Sequence, residues 1–67
     1  MNSHSALFHA ALDVQESIQI LGQAVLSADK DGSITDQDTA YIGGHVSSIL
    51  AIATRLLDAL KNVKQNA

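Results

Sequence analysis

Residues 29–38, with the sequence DKDGSITDQD, lie near the middle of a 67-residue chain and decide its fold. Gly32 suits the left-handed backbone conformation that often follows the last turn of a helix. Thr35 and Asp38 have the spacing of a short capping box, in which each side chain bonds the backbone N–H of the other. The stretch therefore predicts that one helix ends here and that a second helix begins.

The segments on both sides of this turn have a composition typical of helices. They are rich in Ala, Leu, Ile, Gln and Val, and the chain has no Pro. We predict helices over residues 5–28 and 36–63, a loop over residues 29–35, and one domain over residues 1–67. Ser3 and Ser5 are both suitable caps for the first helix, and the sequence does not choose between them.

Apolar residues recur in both helices at alternating spacings of four and three, the pattern of a coiled-coil seam. The predicted seam of the first helix is Leu7, Ala11, Val14, Ile18, Leu21, Val25 and Ala28. That of the second helix is Thr39, Ile42, Val46, Ile49, Ala53, Leu56, Leu60 and Val63. Folding the chain back at Gly32 pairs these seams, which predicts an all-α, antiparallel two-helix hairpin. Its expected core is Leu7, Val14, Ile18, Leu21, Val25, Ile42, Val46, Ile49, Leu56 and Leu60.

Other large side chains lie outside the two seams. A hairpin this short has too small a core to leave them in water, because burying each one is worth roughly 1.5–3 kcal/mol. We therefore expect either a homodimer, in which two hairpins form a four-helix bundle, or a protein partner that covers the same surface. The expected interface residues are Phe8, Leu12, Ile20, Leu26, Tyr41, Leu50, Ile52 and Leu57.

The composition excludes several classes of protein. A chain with 46% hydrophobic and 16% charged residues is not expected to be disordered. The absence of Cys excludes disulfides, thiolate metal sites and a cysteine nucleophile. Uncharged stretches are interrupted by Ser, Gln, Gly and Thr, and residues 1–4 lack the features of a signal peptide. We expect a cytoplasmic protein with no membrane partner.

Neither catalysis nor nucleic-acid binding is expected. The basic residues, too few for a phosphate-binding stripe, are Lys30, Arg55, Lys61 and Lys64. The histidines, which fall on different faces or opposite ends of the hairpin, are His4, His9 and His45. No nucleophile, base and oxyanion donor converge, so we predict that the protein is not an enzyme and needs no cofactor.

Residues 27–38 resemble the twelve-residue calcium loop of EF-hand proteins. The resemblance implies calcium held by carboxylate and backbone oxygens, with Asp29, Asp31 and Asp38 as candidate ligands. The loop departs from the EF-hand pattern at Ser27, where an acidic residue is usual, and at Asp38, where the family has Glu. An EF-hand also splays its helices, whereas the paired seams require antiparallel helices. A metal site is therefore not expected, and a calcium-responsive protein is kept as an alternative.

Three glycines lie near the loop end of the predicted helices, at Gly22, Gly43 and Gly44. Glycine inside a helix costs about 1 kcal/mol relative to alanine, so a compensating role is expected. One interpretation is a close approach of the two helices, or room for the ring of His45 beside Gly22. The other is a shallow pocket for a side chain of a partner.

Residues 40–50, AYIGGHVSSIL, and the Ala- and Leu-rich turns after them resemble short helical proteins of unknown function from Gram-negative bacteria and their phages. The resemblance implies no activity, but it favours a small accessory or inhibitory protein. We predict a non-enzymatic protein–protein interaction module, a regulator or inhibitor of the kind that phages or mobile elements encode. A structural subunit of a helical assembly is a further alternative.

Overall fold

Two long antiparallel helices make up the computed structural model, which describes residues 2–65. Helix α1 spans Ser3–Lys30 and helix α2 spans Asp36–Gln65. The pair forms a rod of 50 × 15 × 15 Å. The predicted all-α, two-helix hairpin is confirmed. Residues 1, 66 and 67 of the predicted domain lie outside the described residues.

The turn between the helices has the predicted chemistry. The backbone N–H of Gly32 donates to the carbonyl oxygen of Asp29 at 2.9 Å, and Gly32 has a φ of 78°. The N–H of Thr35 donates to Oδ2 of Asp38 at 3.0 Å, and the N–H of Asp38 donates to Oγ1 of Thr35 at 3.1 Å. The capping box is thus confirmed. It fixes the start of α2 at Asp36, the residue that the sequence indicated.

Helix α1 begins earlier than predicted and has a different cap. Oδ1 of Asn2 accepts a hydrogen bond from the N–H of Ser5 at 2.7 Å. The expectation that Ser3 or Ser5 caps this helix was wrong, because Asn is an equally strong cap and lies one residue further out. Both helices also run about two residues further at their C-terminal ends than the seam pattern indicated, to Lys30 and Gln65.

The seam between the helices is formed by residues that again alternate in spacings of three and four. On α1 the half-buried residues of this seam are Leu7, Ala10, Val14, Ser17, Leu21, Ala24 and Ala28. On α2 they are Asp38, Ile42, His45, Ile49, Ile52, Leu56 and Val63, together with Ala59, which is only 6% exposed. Among residues 2–65, Ala59 is the one buried residue, so this hairpin has almost no interior of its own.

One half of the predicted seam does not lie between the helices. The core residues Leu7, Val14, Leu21, Ile42, Ile49 and Leu56 are half-buried there, whereas four others are exposed, at 55% (Ile18), 39% (Val25), 44% (Val46) and 47% (Leu60). Their predicted core assignment was therefore wrong, as was the seam assignment of Ala11, Thr39 and Ala53, which are also exposed.

The reason for this error is geometric. Both possible seams keep a heptad spacing and share one column, and their second columns lie one residue, or about 100°, apart, so the two seams differ by a rotation of about 50° around the helix. On α1 the predicted second column contains the larger residues Ile18 and Val25. In the structure the second column of α1 consists instead of Ala10, Ser17 and Ala24, whose small side chains let the two backbones approach. The larger residues Ile18 and Val25 are turned away from α2.

Candidate protein-interaction surface

Outside the seam, the hairpin has two faces of different character. On one of them, a depression of about 370 Å³ between the helices is bordered by His9 and Asp13 of α1 and by Arg55 and Asp58 of α2. A second depression on the same side, nearer the loop, is lined by residues that include Gln23, Ser27 and Tyr41. We call this side the polar face.

The opposite side is apolar on both helices. Because the helices are antiparallel, the two columns that flank the seam on this side face the same way from α1 and from α2. We call this side the apolar face, and its residues are Phe8, Ala11, Gln15, Ile18, Gly22 and Val25 of α1 and Thr39, Gly43, Val46, Leu50, Ala53, Leu57 and Leu60 of α2. All of them are exposed in the hairpin, up to 65% for Leu50.

The apolar face carries no charged side chain between Phe8 and Val25 on α1 or between Thr39 and Leu60 on α2. Gln15 is the long polar side chain within it. The hydroxyl of Thr39 is already bonded within its own helix, where it donates to the carbonyl oxygen of Thr35 at 3.1 Å. A continuous uncharged surface across two helices is typical of a face that is covered by another molecule.

The predicted interface residues do not all lie on this face. Phe8, Leu50 and Leu57 belong to it, and Leu12 and Leu26 adjoin its outer edge on α1, where Leu26 is 72% exposed. The other three lie elsewhere on the hairpin, so their assignment to a dimer or partner interface stays a prediction. They are Ile52, which is half-buried in the seam, and Ile20 and Tyr41, which line a depression on the polar face.

Tyr41 has a ring partner within α2. Its ring meets that of His45, one helical turn later, edge to face, with centroids 4.7 Å apart and planes at 83°. His45 lies in the seam and is half-buried, so this contact holds Tyr41 beside the groove rather than out along the helix. Phe8 and His9 make a looser edge contact, with centroids 5.7 Å apart.

The glycines do not bring the two helices together. A Cβ atom built on Gly22, Gly43 or Gly44 would meet no atom within 4 Å. The prediction of a close α1–α2 approach at these residues was therefore wrong, because the seam runs through a neighbouring column. Gly22 and Gly43 instead lie on the apolar face, where they interrupt the row of larger side chains and the space above them is open. Gly44 borders a small depression with Tyr41 and Ser48 on the other side of α2.

The acidic candidates for a metal site are not assembled into one. Within residues 2–65, no three side chains of His, Cys, Asp or Glu come together in a way that could hold a metal ion. The carboxylate of Asp38 is used by the capping box. Asp29 lies in the last turn of α1 and Asp31 is its C-cap, and both are exposed.

Helix α2 is also long and apolar enough to cross a membrane, judged by length and composition only, with a mean hydropathy of 1.2 over its most apolar segment. From the sequence alone, no such segment is expected. The core helix of a helical bundle passes the same test of length and composition, so one such helix is weak evidence for a membrane span. Ser48, Arg55 and Asn62 follow one another along the side of α2 away from the apolar face, which gives this helix two unlike sides.

Comparisons of this chain with protein-family models, with curated proteins and with solved structures give no match. The resemblance of residues 40–50 to short bacterial and phage proteins therefore stays a prediction. What the chain does has to be argued from its two faces. The apolar face could have been found in the sequence from the columns that begin at Phe8 and Ala11, since these columns lack charge until they reach the helix ends.

Proposed function

We propose that this chain is a non-enzymatic protein–protein interaction module that pairs through its apolar face into a four-helix bundle and acts as a small regulator or inhibitor by binding a target protein. The observation that carries the proposal is the apolar face itself. Large side chains such as Phe8 and Leu50, which are 60% and 65% exposed, are costly to leave in water along the whole length of a hairpin.

The surface area of the hairpin supports a partner of its own size. The chain exposes 5107 Å², whereas a compact monomer of 7.0 kDa is expected to expose roughly 4,000 Å². The excess of roughly 1,000 Å² is similar to the ~800 Å² that each partner buries in a standard interface. A second copy would cover such an excess and would place Ile18, Val25, Val46 and Leu60 in a shared core.

This arrangement also accounts for the two heptad columns that the hairpin leaves exposed. A helix in a four-helix bundle needs three adjacent apolar columns, since it packs on two neighbours. The seam uses two of these columns, and the column of Ile18 and Val25 on α1, with that of Val46 and Leu60 on α2, supplies the third. A helix that spans lipid would instead be apolar on all sides, and Arg55 lies at the middle of the polar side of α2.

The polar faces of such a dimer remain free on its two outer sides, and they are where we place the target. The depression bordered by His9, Asp13, Arg55 and Asp58 combines both signs of charge with an apolar floor at Ala59. Mixed polar and apolar surface of this kind is usual in interfaces between proteins that associate and dissociate.

Sedimentation equilibrium of three proteins tests the proposal, namely the wild type, Val46→Lys on the apolar face and Ser48→Lys on the polar side of the same helix. We expect wild type and Ser48→Lys to have twice the 7.0 kDa mass of the chain, and Val46→Lys to sediment as a monomer with reduced helix content in circular dichroism. A wild-type chain that stays a well-folded monomer at millimolar concentration would contradict self-association.

The target is sought with the wild type, Arg55→Glu and Val46→Lys as baits in host lysate, followed by mass spectrometry. Binding to the polar face of the dimer predicts a protein captured by the wild type, reduced with Arg55→Glu, and lost with Val46→Lys. Equal capture by the wild type and Arg55→Glu would show that the target does not use this depression.

A further inference from the structure

The two ends of the hairpin differ in both side-chain size and charge. We propose that two copies pair with their hairpins antiparallel, so that the loop of one copy lies beside the helix termini of the other. This inference rests on the proposed self-association, and it adds which end of one copy meets which end of the other. The proposed orientation concerns only the apolar face, so it does not depend on which protein binds the polar face.

Two apolar faces related by a two-fold axis have only two ways to pack with their helices aligned. If the axis runs along the helices, both loops are at the same end, and α1 of one copy packs on α2 of the other. If the axis runs across the helices, the loops are at opposite ends, and each helix packs antiparallel on its own counterpart. The two arrangements bring different residues of the apolar face together.

The size of the side chains favours the antiparallel arrangement. The end of the apolar face near the termini is bulky, with Phe8, Leu57 and Leu60, whereas the loop half contains Gly22 and Gly43, above which the space is open. With the loops together, the two glycines lie at the same level and leave a void, and Phe8 is pressed against Leu57. With the loops apart, Phe8 reaches the level of Gly22 in the partner copy, and Leu57 reaches that of Gly43. Facing layers then alternate large and small, as dense packing requires.

Charge favours the same arrangement for an independent reason. Residues 29–38 contain four aspartates and one lysine, which gives a net charge of −3, equal to that of the whole chain. The opposite end of the hairpin carries Lys61 and Lys64, both exposed. Loops placed together bring two negative poles into contact, whereas loops placed apart set each negative pole beside the lysines of the other copy.

The distance between the two loops of a dimer tests this directly. The chain has no Cys, so Ser33→Cys in the exposed turn accepts one nitroxide label per copy for pulsed electron resonance. The antiparallel arrangement predicts a distance close to the 50 Å length of the hairpin. Loops at the same end predict a distance set by the ~10 Å spacing of packed helices and the length of the labels. Dilution with unlabelled wild type removes the signal in either case and serves as the control.

Disulfide cross-linking gives a second measurement that does not depend on the loop. Leu50 lies near the middle of α2, so in the antiparallel dimer Leu50→Cys faces its own counterpart and forms a covalent dimer on oxidation. Leu57→Cys, in the same column but away from the axis, is the matched control and should form none. A short loop distance, or no covalent dimer of Leu50→Cys, would overturn the antiparallel arrangement and leave self-association standing. A wild-type chain that sediments as a monomer would instead overturn the self-association on which this proposal rests.

Discussion

The two faces of this hairpin are built from neighbouring columns of the same helices, yet they differ in almost every physical property. The polar face has grooves bordered by charged side chains such as Asp13 and Arg55, and its aromatic residue Tyr41 has a ring partner. The apolar face has no charge along most of its length and exposes Ile18 and Leu50 by more than half. The difference supports the proposal that the polar face stays in water and that a second copy covers the apolar face.

This comparison predicts that truncation of a large side chain costs more stability on the apolar face than on the polar face. In the hairpin alone Leu50 is 65% exposed and Ile20 is 42% exposed, so a hairpin that works alone would lose more stability at Ile20. If the apolar face is covered, Leu50→Ala should cost about 2–5 kcal/mol of unfolding free energy, the range for core leucines. Ile20→Ala should then cost less than about 1.5 kcal/mol, because its surroundings on the polar face stay open.

Urea unfolding followed by circular dichroism, at equal protein concentration, measures both values. Each variant is the control for the other, so the test is which of the two loses more unfolding free energy. A greater loss at Ile20 than at Leu50 would contradict a covered apolar face. Repeating the series at a tenfold lower protein concentration should lower the midpoint of the wild type, as it does for any fold completed by association.

The capping box belongs to neither face. Its loss therefore shows how much stability one contact within a single chain contributes, for comparison with contacts between chains. Thr35→Ala removes the hydroxyl that accepts from the N–H of Asp38, and we expect a loss of about 1 kcal/mol per chain. Thr54→Ala is the matched control, since the hydroxyl of Thr54 donates to the carbonyl oxygen of Leu50 inside a helix and caps nothing. It should change stability little, because alanine has the higher helix propensity. Equal losses in the two variants would mean that the cap does not stabilise α2.

The sequence predicted the local features of this fold and missed the rotation of its helices. Gly32, Thr35 and Asp38 act through backbone atoms a few residues away, so their spacing is sufficient to place the turn. The seam depends on which columns of the two helices face each other. An apolar residue such as Ile18 can pack equally well against a helix of the same chain or of another chain. The heptad spacing is the same whether a column packs within the chain or against another chain. The structure distinguishes the two possibilities because Ala10, Ser17 and Ala24 pack against α2.

The same ambiguity explains why the candidate surface was predicted only in part. Phe8, Leu50 and Leu57 were assigned to an interface because they lie outside both possible seams. Ile18 and Val46 were assigned to the core because they are large and fit a heptad. A two-helix hairpin covers two columns per helix, and a sequence with three apolar columns leaves one of them for another layer. A third apolar column therefore indicates association, because the two helices of one chain do not bury it.

The smallest expected effect compares two adjacent glycines of α2. Neither Gly43 nor Gly44 has any atom within 4 Å of a built Cβ, so in the isolated hairpin Gly43→Ala and Gly44→Ala should each add up to about 1 kcal/mol through helix propensity. If Leu57 of a second copy fills the open space above Gly43, Gly43→Ala should gain less than Gly44→Ala, or lose stability, because the added methyl group meets that side chain. Thermal unfolding of both variants at one concentration measures the difference. Equal gains would mean that nothing packs on Gly43, which would remove the packing argument for the antiparallel dimer and leave its charge argument to be tested by the loop distance.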